Sequence, residues 1–123
     1  LHKYLSKNDY AAIFIAPAAG SALTSEACRI KVSHEGLKNS DTYTGGWTSS
    51  DLGVSASVIY DTSGNNDNAR GYIAEIAVPR SKLNIKSGEI LVNFALFDSQ
   101  GGEDAVSSTS SVSTAKWIPV TGL

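Results

Sequence analysis

Short stretches of this chain alternate apolar and polar residues with a period of two, a pattern that fits strands and not helices. In residues 28–34, Cys28, Ile30 and Val32 share one face, and Arg29, Lys31 and Ser33 share the other. One buried face and one wet face are the mark of an antiparallel sheet. Residues 52–60 alternate likewise, with Leu52, Val54, Ala56, Val58 and Tyr60 expected inward and Gly53, Ser55 and Ser57 outward. Residues 71–78 put Tyr72, Ala74, Ile76 and Val78 on one face and Glu75 on the other. The segment between them, DTSGNNDNARG, is dense in turn formers, so the two strands read as hairpin partners. In residues 10–16, Ala12, Phe14 and Ala16 face one way and Ile13 and Ile15 the other. Residues 89–97 are the most apolar strand: Ile90, Val92, Phe94 and Leu96 lie on one face, Leu91, Asn93, Ala95 and Phe97 on the other. A strand apolar on both faces belongs in the middle of a sheet.

Punctuation between the strands is equally plain. Pro79 stops the strand before it, and residues 79–85 can form one helical turn with Leu83 beneath it. Ser87-Gly88 makes the next turn, and residues 98–114 read as a long polar surface loop. Residues 116–120 close the fold, with Pro119 placing that strand near an edge. No amphipathic helix of ordinary length, internal repeat or linker interrupts this series. About seven short strands divided by polar turns predict an all-β fold, an antiparallel two-sheet β-sandwich of jelly-roll-like type. The 123 residues are the size of a single domain, 1–123.

Composition narrows the partners. The formal net charge is -2 and the lysines and arginines are scattered, which argues against nucleic acid. No apolar run reaches the roughly 20 residues that span a bilayer, so no membrane insertion is expected. The chain opens on Leu1 without a Met or a signal peptide, as a piece cut from a larger secreted protein would. Its lone cysteine, Cys28, cannot form an internal disulfide, so packing alone must hold the fold.

Catalytic patterns are weak. Cys28 falls on an apolar strand face, as a small core residue does, and no G-x-S-x-G elbow is present. Two histidines and one cysteine make no zinc pattern. Calcium takes oxygen ligands from loops, and Asp98, Glu103 and Asp104 form an acidic segment where a structural calcium ion is conceivable. Residues 61–67 space Asp61, Ser63, Asn65 and Asp67 at alternate positions, yet Asn66 stands where a calcium loop needs glycine. No pair of acids is placed for glycoside hydrolysis, so an enzyme is not expected.

Aromatic residues carry the stronger signal. A sugar offers apolar CH faces and hydroxyl edges, so its site needs flat rings together with planar hydrogen-bonding groups. Trp47 lies in TYTGGWTSS, a glycine-flanked loop with Tyr43 close by, and Trp117 precedes the last strand. Trp117 reads more readily as a core plug than as a stacking ring; for Trp47 the two roles are balanced. Arg70, Asn65 and Asn68, in the loop before Gly71, are candidates to hydrogen-bond sugar hydroxyls.

Residues 72–98 read YIAEIAVPRSKLNIKSGEILVNFALFD. Tyr72, Glu75, Ile76, Ala77, Val78, Pro79, Leu83, Gly88, Asn93 and Asp98 follow one another in an order that resembles the C-terminal half of the family 9 carbohydrate-binding modules and the related DOMON-like sugar-binding domains. Asn8-Asp9-Tyr10 with Ile13-Phe14-Ile15 is similar to an earlier strand of that family, and Lys116-Trp117-Ile118-Pro119 to its closing segment. The resemblance implies a β-sandwich that binds carbohydrate without transforming it, joined to a neighbouring domain of the same secreted or cell-surface polypeptide. It also implies structural calcium as a frequent companion. Against the family pattern, strands before Asn8 are missing and the sugar-stacking pair has no clear counterpart. Methionine is absent, which disfavours the haem-binding branch. The residues alone leave three readings: a glycan-binding module; a structural or adhesive β-sandwich of a bacterial surface protein without a small-molecule site; and, weakest for want of an acid-base pair, a pseudo-enzyme or enzyme fragment.

Overall fold

A computed structural model describes residues 9–61, 71–98, 102–105 and 113–123. The architecture is all-β, an antiparallel two-sheet sandwich. Its strands are β1 (Tyr10–Pro17), β2 (Cys28–Ser33), β3 (Lys38–Tyr43), β4 (Trp47–Ser49), β5 (Ser55–Asp61), β6 (Gly71–Ala77), β7 (Ile90–Asp98), β8 (Gly102–Ala105) and β9 (Ile118–Val120). The larger layer runs β4-β3-β2-β1-β7-β8, and β9 pairs with the first residues of β7. The second layer is the hairpin β5-β6. Among the described residues no helix is long and apolar enough to cross a membrane.

Alternation along each strand decides the two faces. Ile13 and Ile15 of β1 stand opposite Ile30 and Cys28 of β2 and opposite Phe94 and Val92 of β7. On this face Ile15, Cys28, Ile30, Val32 and Val92 form the main core with Leu52, Val54 and Ile90, against which Ile13, Ala56, Val58, Ala74 and Ile76 pack. Tyr72 ties the layers together, its hydroxyl donating to the Val32 carbonyl at 2.9 Å. Burial raises the pKa of that phenol. Leu83, following a 3-10 turn at Arg80–Lys82, packs under the same core. Ser87 and Gly88 both take positive φ, 53° and 71°, so the Lys86–Glu89 turn has the handedness that tight hairpins need.

Two strands lie where the sequence pattern predicts loops, and a third, β3, where it predicts no strand. Trp47 is not in a glycine-flanked loop: it opens β4, and Thr44, Gly45 and Gly46 form the turn back from β3. β3 reads KNSDTY, too polar to be found by apolar alternation, and is held by pairing on both sides. Gly102–Ala105 is a strand inside the predicted 98–114 loop, because the long edge of β7 offers backbone groups to pair with.

A second correction concerns the inner face of β7. Ile90 and Val92 are buried as expected, but Phe94 is 44% and Leu96 64% exposed. Among the described residues the second layer has two strands, too few to cover the larger sheet. It leaves an apolar groove of about 580 Å³ whose walls include Ile13, Ala74, Ile76, Phe94 and Leu96.

Cys28 belongs to the main core at 2% exposure, and burial pushes its thiol pKa up to about 11. The folded state therefore holds the thiol proton more tightly than the unfolded chain, whose cysteine loses it near pH 9. The stabilisation is complete below about pH 9 and is lost as pH climbs through about 11. Over that window wild type should lose up to about 3 kcal/mol more than Cys28→Val, read from urea titrations at stepped pH. Equal pH slopes for the two proteins would contradict the burial argument.

Candidate functional site

The outer face of the larger sheet carries a second, aromatic cluster. Phe14, on the outward-facing side of β1, is 2% exposed and sits between the two tryptophans. Its ring centroid is 5.6 Å from that of Trp47 and 5.9 Å from that of Trp117, both edge-to-face. Tyr43 stands directly opposite Trp47 across the β3-β4 ladder, 5.3 Å away and at 75°. This hairpin delivers both rings to one face because Gly45, at φ 79°, permits so short a turn.

Charge is built into the same place. Arg29 of β2 stands opposite Asp41 of β3, and its Nε donates to Asp41 Oδ2 at 2.9 Å. The Asp41 carboxylate is almost fully buried, while the guanidinium keeps some contact with water. The guanidinium carbon of Arg29 lies 5.3 Å from the Trp47 ring centroid. Trp47 is thus fixed by an aromatic ring on β1, another on β3 and a cation on β2, yet stays half-exposed. A rigid, partly wet indole beside a paired arginine and carboxylate can stack on an apolar ring face and hydrogen-bond a polar edge.

Further along the face, Tyr10 stacks on Phe97 at 4.9 Å, and Lys31 Nζ lies 5.2 Å from the Tyr10 ring centroid. Arg29, Asp41, Lys31 and Tyr10 were not among the residues singled out by sequence. A signal existed in the outward set Arg29, Lys31 and Ser33, but β3 was invisible, so no strand was available to set Asp41 beside Arg29.

The sequence candidates divide sharply. Trp47 and Tyr43 come together. Trp117 does not join them as an open ring: it is 6% exposed and packed on Phe14, and its indole N–H has no hydrogen-bond partner among the described residues. Arg70, Asn65 and Asn68 lie outside the described residues. Asp98 closes β7, and Glu103 and Asp104 pair in β8 opposite Phe97 and Leu96, so the acidic segment is a strand ladder and not a loop there. Among the described residues no three His, Cys, Asp or Glu side chains gather into a metal-holding group.

The fold and this face define a β-sandwich domain with an aromatic, ion-paired outer surface. Comparison with models of known families, with curated proteins and with solved structures returns no match to this chain.

Proposed function

We propose that this domain is a non-catalytic carbohydrate-binding module that tethers a secreted glycan-active enzyme or surface protein to its glycan. Tethering raises local concentration and needs no chemistry on the sugar. The observation that carries the reading is Trp47, half-exposed and held in one orientation by Phe14, Tyr43 and Arg29. Held side chains lose little freedom on binding, so even one exposed edge contributes to affinity. Tyr43 supplies a second ring beside it, and the exposed Asn39 and Ser49 bring hydrogen-bonding groups to the neighbouring strands. The resemblance of residues 72–98 to family 9 and DOMON-like modules points the same way.

Calorimetric titration with a panel of soluble glycans tests this. One class of glycan should release heat, and Trp47→Ala should weaken its binding at least about tenfold, the equivalent of about 1.4 kcal/mol. A competing reading, a structural or adhesive surface domain, draws on the bare apolar groove over Phe94 and Leu96, since large exposed apolar patches favour protein contacts. No heat with any glycan, together with unchanged behaviour of Trp47→Ala, would leave that reading in place.

A further inference from the structure

The β5-β6 hairpin presents an open edge. β6 pairs with β5 along its whole length, from Asp61↔Gly71 to Ser55↔Ala77, without a bulge, and no described strand lies on its other side. Alternate N–H and C=O groups on that side are left to solvent or to a partner. Open edges are usually blunted by brevity, Pro or Lys. In the larger sheet β4 and β9 have three residues each, and β9 holds Pro119. β6 has seven residues, GYIAEIA, with neither Pro nor Lys. It also walls the apolar groove, which Ala74 and Ile76 line together with Ile13, Phe94 and Leu96. A strand laid beside β6 at the ordinary spacing of about 4.8 Å would lie over β7 at about the 10 Å of stacked sheets. Phe94 and Leu96 are two residues apart on β7, so their spacing of about 7 Å matches side chains i and i+2 of that strand.

Area, space and charge decide what fills the groove. Phe94 at 44% exposure leaves roughly 100 Å² bare, and Leu96 about as much. A stable dimer buries about 800 Å² on each partner. Antiparallel edge pairing of two copies would also relate them by a two-fold axis perpendicular to the joined layer. Both larger sheets would then lie beneath that layer. Each runs on past β6 through β7 to β8, so the two would collide. A single extended segment meets neither obstacle, since main-chain hydrogen bonds supply much of its affinity. Charge narrows its sequence. Glu75, on the outward face of β6, is exposed, stands opposite Ser57 on β5 and makes no ion pair with a described residue. A cation on the incoming strand beside it would be matched, and a second acid opposed.

We infer that the β6 edge takes an extended segment of another polypeptide, apolar at alternate positions to fill the groove over Phe94 and Leu96 and basic between them to meet Glu75. This holds whether or not the Trp47 face binds glycan, because the groove lies on the opposite face of the larger sheet. The probe is the end-blocked peptide TVKIKVT, with TVEIEVT as its acidic counterpart and TVKPKVT as a form that cannot pair as a strand. TVKIKVT should bind, shift the β6 amide resonances and slow their exchange with solvent. TVEIEVT should bind about threefold more weakly, and Glu75→Lys should reverse that order. Leu96→Ser, at an exposed position and shown folded by circular dichroism, should weaken TVKIKVT at least about tenfold. No binding of TVKIKVT, equal binding of TVKPKVT, or full affinity in Leu96→Ser would each overturn the inference. Sedimentation showing a dimer that Leu96→Ser breaks would give the groove to a second copy. Slow exchange of the outward β6 amides in the free monomer would give it to the chain's own residues. Either result also overturns it.

Discussion

Phe14→Ala should cost this domain about 3–5 kcal/mol, the range for truncating a buried phenylalanine. The position is 2% exposed in the strand that pairs with both β2 and β7. Truncation removes the ring on which both tryptophans rest, so two edge-to-face contacts go with it. Each such contact adds about 0.5–1.5 kcal/mol beyond area burial, which favours the upper part of the range. Urea unfolding should show a lower midpoint with little change in slope, and the near-ultraviolet dichroism of both indoles should change. Phe14→Leu, which keeps most of the volume, should lose far less, about 1–2 kcal/mol. A loss below about 1 kcal/mol for the alanine variant would mean that the outer cluster is not a packed unit. The consequence extends to binding: Trp47 would lose its support from β1, and glycan affinity should drop even where the variant stays folded.

Arg29→Met should destabilise by about 3–5 kcal/mol, whereas Asp41→Asn should cost about 1 kcal/mol or less. The asymmetry follows from where each partner can turn. Asp41's side chain is 5% exposed and Arg29's 19%, so methionine strands a carboxylate that has no route to water. Asparagine leaves a guanidinium that already touches solvent and still lies over the Trp47 ring. Arg29→Lys should fall between them, keeping the charge but losing the planar group that covers the indole. Thermal and urea unfolding of the three variants measures this order. Equal losses for Arg29→Met and Asp41→Asn would show that the pair behaves as an exposed ion pair and lends no rigidity to Trp47.

The order of these effects explains what could be read from the chain. Core strands announced themselves through local pattern. In β2, Cys28, Ile30 and Val32 had to share a face wherever the strand went, and they line the main core. The same held for Ala56 and Val58 in β5 and for Ala74 and Ile76 in β6. Trp117 is the core plug that its place before the last strand predicts. Asp41 was not legible in that way. It lies in a polar hexapeptide whose strand character comes from its ladder partners on either side, and its side chain is paired with Arg29 beside it on β2. Trp47 was legible as a residue to watch, but the glycines before it suggested a loop when they serve a hairpin turn.

By itself the sequence determined the class of fold and the faces of its apolar strands, because a period of two is a property of the chain and survives any arrangement of strands; its single cysteine ruled out an internal disulfide. Tertiary structure alone decided how far each face is covered. Phe94 and Leu96 carry the same inward pattern as Ile90 and Val92, yet these two stay exposed because, among the described residues, the opposing layer has two strands and does not reach them. Arg29, Asp41 and Trp47 meet for a like reason: three strands must lie side by side before their outward residues become neighbours, and the register between strands is set by packing across the whole sheet.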